Sequence, residues 1–438
     1  MTLDTSDNEQ RYLHPAKHGE LAELQALDAY DQWQEDEAVP VYHGSGAPDL
    51  GTLELSDWAR RGVRGAILDL DGTGGLIDAH LIEVAAGGES LPIRHLYEEI
   101  VYAVSGRGNC AVWYGDGPKQ SFEWSAGSLF AIPLNAWSQI YNGSGQEPAR
   151  LFSVTNLPSM LRTFRNVDFI FNNEFAFRDR FSGDQGYFSQ EGKLWHRGLN
   201  HVWETNFVPD VRTQTLHANP EPGVGTLDEE VSLAANNMGA YLGELVRGTY
   251  QKARRLSSPE HVIFLSGEGY TFRWRPGSHS AERVPWQAGT LNVEREGWFH
   301  QHFNMSNGRS RYLAIRFRGA QLLQLATNSE NHEHDDDHDH DHDHDDHDHA
   351  VDSHVGHDHE HETHNHDHET HDHDHEGHDH DHEELAPVIG DTFIEYEDED
   401  PVIRQVFEDE LRSRHIPSEM DRLLARWREY VARTQANG

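Results

Sequence analysis

Two stretches of this chain repeat one another at an offset of 161–162 residues, and such a repeat fixes the architecture before any local reading begins. Ser105-Gly106-Arg107-Gly108 returns as Ser266-Gly267-Glu268-Gly269. Trp113 returns as Trp274, and Trp124-Ser125-Ala126-Gly127 as Trp286-Gln287-Ala288-Gly289. Gln139 and Asn142 return as Gln301 and Asn304. One order and one register mean two copies of one domain.

Each copy is rich in strand signals. Glu99-Ile100-Val101-Tyr102-Ala103-Val104 and His261-Val262-Ile263-Phe264-Leu265 are β-branched and aromatic runs stopped by glycine turns. Short strands with that punctuation predict barrels or sandwiches. Helices are expected on either side. Glu20 to Trp33 spaces Leu21, Leu24, Leu27 and Tyr30 near a helical period. Asp400 before Pro401 has the form of an N-cap and first-turn proline, and Ser418 with Asp421 marks a second start. The predicted organisation is a helical segment over 1–50, barrel 1 over 51–157, an aromatic-rich segment over 158–235 and barrel 2 over 236–325. A His/Asp tract over 330–384 and helices over 390–438 complete it.

The tract dominates the composition. Residues 330–384 hold 21 of the 34 histidines and 24 acidic residues, with no Lys or Arg, so they carry more than half of the formal charge of −41. A run such as His338-Asp339-His340-Asp341-His342-Asp343-His344 buries no apolar surface and predicts disorder. Neutral imidazole ligates Ni, Zn, Co and Cu, and adjacent carboxylates concentrate cations. His338, His340, His342, His344, His371, His373, His375, His378, His380 and His382 are therefore expected to bind divalent metal, each weakly. The rest of the chain is mildly acidic, which argues against nucleic acid as a partner. Cys110 is the only cysteine and fits a reducing compartment. No apolar run reaches the roughly 18–20 residues of a membrane span, and the first ten residues lack a signal peptide's pattern, so a cytoplasmic location is expected.

Glu99 stands seven residues before Gly106, Glu260 seven before Gly267, and an Asn follows later in each copy. That spacing resembles the cupin pattern. The likeness extends through Arg94-His95-Leu96-Tyr97-Glu98-Glu99, Ser121 to Trp137, Asn166 to Asn173, Trp203 to Val211, Trp298 to Asn304 and Glu395 to Pro401. Over these blocks the chain resembles a group of bacterial double cupins (bicupins), some of which are labelled ethanolamine ammonia-lyase-activating protein. The resemblance implies an all-β core of two tandem RmlC-like jelly-roll barrels. It also implies an interior metal, Fe, Mn, Ni or Zn, on three His and one Glu.

Placed on that pattern, barrel 1 offers His95 and Glu99, with Ile93 and Ser138 where the other two His would stand. Barrel 2 offers Glu260 and His300, with Arg254 and Leu256 at the paired-His positions. A one-residue slip brings in His261, and His302 shares the face of His300 if the strand is regular. Arg254, with Ser138 in barrel 1, favours an anionic ligand held without metal. His196, His201 and Glu204 form a weaker cluster. Three functions follow: a metal-dependent oxygenase or isomerase of a small carboxylate or aromatic substrate; a metal-handling accessory protein acting through the tract; or a degenerate ligand-binding cupin. A homodimer through barrel edges is expected from the fold.

Overall fold

The computed structural model describes residues 28–197, 199–317 and 392–436. Within them the chain forms two tandem jelly-roll barrels, each made of a larger and a smaller sheet. In barrel 1 the larger sheet has eight strands and the smaller three; in barrel 2 the numbers are nine and five. Pairing is antiparallel except where Val41–Tyr42 meets Val63–Leu68 and Asn200–Thr205 meets Thr226–Leu233.

The repeated residues prove to be turn and seam residues. Gly106 and Gly267 connect consecutive strands at φ of 86° and 84°, a conformation that side chains with a Cβ disfavour. Two residues on, a Cβ on Gly108 would lie 1.9 Å from the Tyr141 carbonyl oxygen and 2.6 Å from the Trp124 ring; on Gly269 it would lie 2.0 Å from the Phe303 oxygen and 2.5 Å from Trp286. The amide of Asn142 donates to the carbonyls of Val84, Ala85 and Glu147, and that of Asn304 to those of Leu245, Val246 and Gly308. Gln139 donates to Ser90 O as Gln301 does to Gln251 O. The matches thus mark places where the backbone itself needs one residue type.

Strand alternation divides the side chains of the larger sheets. In Glu99–Ser105, the residues Glu99, Val101 and Ala103 face the barrel 1 interior, while Ile100 and Tyr102 face away. In Glu260–Ser266, Val262 and Phe264 face the barrel 2 interior, while Ile263 faces away. The two outward faces meet in a single apolar cluster containing Leu81, Ile100 and Phe152 of barrel 1 with Leu242, Ile263 and Ile315 of barrel 2. Glu98 adds a polar clasp, accepting from the backbone N–H groups of Asn237 and Met238.

Strands are also exchanged. Gly46–Ala47, upstream of barrel 1, pairs with Leu291–Glu294 in barrel 2. Phe207–Val208, downstream of barrel 1, pairs back onto its strand Leu129–Ile132. The span 158–235, read from sequence as a link, also supplies Lys193–Arg197, Asn200–Thr205, His217–Ala218 and Thr226–Leu233 to the larger sheet of barrel 2. Its aromatics divide: Phe171 and Phe181 join the barrel 1 core, while Phe164, Phe169 and Phe175 stay exposed.

The helices start where their caps predict. Asp400 accepts from Val402 N, and Pro401 opens the helix Pro401–Ser413. The Ser418 hydroxyl accepts from Met420 N at the start of Met420–Ala436. At the other end the described helix is Ala29–Glu37, capped by Asp28; Leu21, Leu24 and Leu27 lie outside the described residues. Among the described residues, no helix is long and apolar enough to cross a membrane.

Candidate functional site

In barrel 1 the expected donors His95 and Glu99 both face inward and bond each other, with His95 Nε2 3.0 Å from Glu99 Oε2. The other carboxylate oxygen takes a different partner. Arg61, from the turn after Ser56–Trp58, sends Nη2 to within 3.3 Å of Glu99 Oε1, 3.3 Å of the Tyr97 hydroxyl and 3.2 Å of His80 Nδ1. His80 Nε2 lies 3.1 Å from Asp78 Oδ2, which also accepts from the Tyr30 hydroxyl at 2.8 Å. Asp78 Oδ1 accepts from Thr155 Oγ1. Burial would raise the Glu99 carboxyl, but the Arg61 charge and the His95 bond hold it well below the usual carboxylate range. Burial likewise opposes Asp78, and His80, Thr155 and Tyr30 bring it below its ordinary value.

Beside this cluster is a cavity of about 30 Å³, lined by Arg61, Ser90, Ile93, Glu99, Ser138 and Ser153 among others. It has room for roughly two waters. Ser138 stands where the pattern calls for a histidine, and its short side chain leaves that space open.

Barrel 2 places a different arginine at its centre. Arg254 is the Cα partner of His300 across Ala253–Arg255 and Phe299–Asn304, and its Nε donates to His300 Nε2 at 2.9 Å. Its Nη2 lies 3.5 Å from Glu260 Oε2, while Arg316 Nη1 lies 3.1 Å from Glu260 Oε1. A second buried pair joins Arg273 to Glu294 at 2.9 Å. His302 faces the interior as expected, 2.7 Å from Thr271 Oγ1. Burial, then the charge of Arg254, pushes both His300 and His302 well below the usual histidine range, so both are neutral. At one side Asp228 accepts from Tyr241 at 2.7 Å and from Asn219 at 3.0 Å, and burial raises its carboxyl to about 7.

His261 corrects the sequence reading. It follows Glu260 directly, so alternation turns it to the opposite face, where it sits in the seam between barrels 6.4 Å from the Phe152 ring. Burial lowers it to about 4. Leu256 is simply core. The weaker cluster is only partly assembled. His196 and His201 are opposite one another on paired strands, and His217 stacks on His201 at 4.1 Å. Glu204 instead accepts from the exposed Trp195.

The resemblance to double cupins implies an interior metal, and the donors present do not fit one. Among the described residues, no three or more His, Cys, Asp or Glu side chains are arranged to hold an ion. In barrel 1 the Arg61 guanidinium lies against Glu99, and in barrel 2 the Arg254 guanidinium lies against both Glu260 and His300. A divalent ion there would have to displace that fixed positive charge or share its place with it. The histidines of the tract, His338 to His382, lie outside the described residues.

No protein-family model matches the chain, and no curated protein matches it. Solved structures overlap it at low identity. One, from work on the substrate binding mode and a reaction specificity switch in oxalate decarboxylase, is 11% identical, covers 63% of this chain and 77% of its own, with a TM-score of 0.43. A single-site variant of the Bacillus subtilis oxalate decarboxylase is 12% identical, covers 66% and 84%, with a TM-score of 0.43. An overlap at this level assigns no residue and no reaction to the present chain.

Arg61, His80, Asp78 and Tyr97 were not legible as a group in the sequence. Arg61 comes from a turn 38 positions before Glu99 and lies in neither half of the repeat pattern. Arg273 was equally silent, although its place opposite His300 follows once Trp113 is aligned with Trp274.

Proposed function

We propose that the chain is a non-catalytic bicupin that binds divalent metal through residues 331–383, with its barrels serving as a rigid body. The observation carrying this reading is the guanidinium in each barrel: Arg61 against Glu99 and Arg254 against His300 and Glu260. The same observation counts against a metal-dependent oxygenase or isomerase. The tract, by contrast, offers many imidazoles in one chain, so occupancy rises through high effective concentration rather than through one tight site.

Metal analysis of the purified protein, with and without residues 330–384, tests this. The full chain should hold several Ni or Zn ions that dissociate as pH falls below about 6.5, where imidazoles protonate. The deletion variant should hold none after dialysis. One ion per chain surviving deletion, and lost on His95→Ala or His300→Ala, would return the reading to a metal enzyme. The cavity beside Ser138 favours a second reading, in which barrel 1 admits a small polar molecule next to Arg61.

A further inference from the structure

Among the buried polar atoms of barrel 2 without a hydrogen-bond partner are Arg273 Nη1, His300 Nδ1 and His302 Nε2. Their residues are 1%, 2% and 0% exposed. Leaving a charged N–H unpaired at that depth costs more than any neutral donor would, and such an atom calls for an unseen partner. The three come from one small patch of sheet. Arg273 is the Cα partner of His300, Thr271 is that of His302, and the two imidazole rings are 5.4 Å apart.

The missing partner must accept protons, because these atoms donate. A guanidinium nitrogen has no lone pair to offer, so Arg273 Nη1 is a donor. Arg254 Nε likewise only donates, which makes His300 Nε2 the acceptor of that bond. A neutral ring whose Nε2 accepts carries its proton on Nδ1. His302 completes the set when the Thr271 hydroxyl donates to Nδ1 and leaves the ring proton on Nε2.

Charge points the same way. The deep ionic groups are the guanidiniums of Arg254, Arg273 and Arg316, and the carboxylates of Glu260 and Glu294. Of the carboxylates that pair with these three guanidiniums, Glu260 and Glu294 are as deeply buried, while Glu230, a partner of Arg316, has a side chain 26% exposed at the rim. Asp228, with its carboxyl near 7, supplies only part of a charge at neutral pH.

We infer that barrel 2 encloses a small monovalent anion, of halide or formate size, held by Arg273 Nη1, His300 Nδ1 and His302 Nε2. The site needs no metal. It recruits the same two histidines that a metal centre would use, but presents their protons instead of their lone pairs.

Crystals of the full chain grown in bromide instead of chloride provide the test. Anomalous scattering should show one peak within hydrogen-bond distance of all three atoms. Water-level density there, or the three atoms paired to protein groups, overturns the inference. In solution, replacing gluconate by chloride at constant ionic strength should raise the thermal midpoint. The rise should be about 2 °C per tenfold increase above the dissociation constant. His302→Leu should abolish that dependence, and an equal response in the variant also overturns the inference. If the variant does not fold, the bromide experiment on the unaltered protein decides alone.

Discussion

Barrels 1 and 2 share a repeat but treat the outer faces of their smaller sheets differently. In barrel 2 the outward residues Tyr270 and Phe303 stack at 4.6 Å and pack with Tyr250 under Phe407 and Leu411 of the helix Pro401–Ser413. The corresponding residues of barrel 1 are Asn109 and Tyr141, and both are only partly buried. Glu268 reaches Arg414 of the helical segment, whereas Arg107 at its place in barrel 1 is exposed. The interiors differ as well. Barrel 1 keeps one arginine and a small cavity; barrel 2 keeps three arginines and two carboxylates. A duplicated fold thus preserves its turns while each copy acquires its own cover and its own internal charge.

The largest effects should come from breaking these interiors and covers. Arg61→Leu leaves Glu99 buried without its only guanidinium and should cost about 3–5 kcal/mol. Arg254→Leu should cost less, because Arg316 still pairs with Glu260. Urea titrations of both variants measure the difference, and equal losses would break the comparison. Phe303→Ala should likewise cost about 3–5 kcal/mol through the cavity it opens beneath the helix.

An intermediate effect is expected from acid. Burial keeps His261, His300 and His302 deprotonated in the folded state, so below about 6.5 the unfolded chain binds more protons. Stability should therefore be complete above that pH and fall as pH drops, by up to about 1.4 kcal/mol per pH unit for each group. Asp228 acts in the opposite sense. Its raised carboxyl favours the folded state at low pH, and that contribution is lost as pH rises through about 7. Urea midpoints across pH 4.5–8 should thus pass through a maximum at about pH 6.5, and in Asp228→Asn the fall above it should give way to a plateau. The smallest effect is at the open face of barrel 1, where Tyr141→Ala should cost about 1 kcal/mol or less, well below its counterpart Phe303→Ala.

Much of the fold was legible in the sequence, since the spacing of Gly106, Gly108, Gln139 and Asn142 encodes backbone requirements that recur 161–162 residues later. The inward orientation of His95, Glu99, Glu260, His300 and His302 was also legible, because it follows from registration and alternation. What could not be read was what those side chains meet. Arg61 arrives through tertiary folding from a turn with no motif around it. His261 shows the reverse error: a residue type that suits a ligand set, at a position whose parity rules it out. The exchanged strands Gly46–Ala47 and Phe207–Val208 have only two residues each, too few for any periodic signal.

Those two short strands decide how the molecule comes apart. A cut in the connection near residue 210 would leave the N-terminal fragment carrying Gly46–Ala47, Lys193–Arg197 and Asn200–Thr205, all strands of the barrel 2 sheet. The fragments would stay clasped through those strands and through the shared apolar seam. Neither half is then a removable module, and dissecting this chain into separately expressed domains would expose on each piece a raw sheet margin prone to association with other chains.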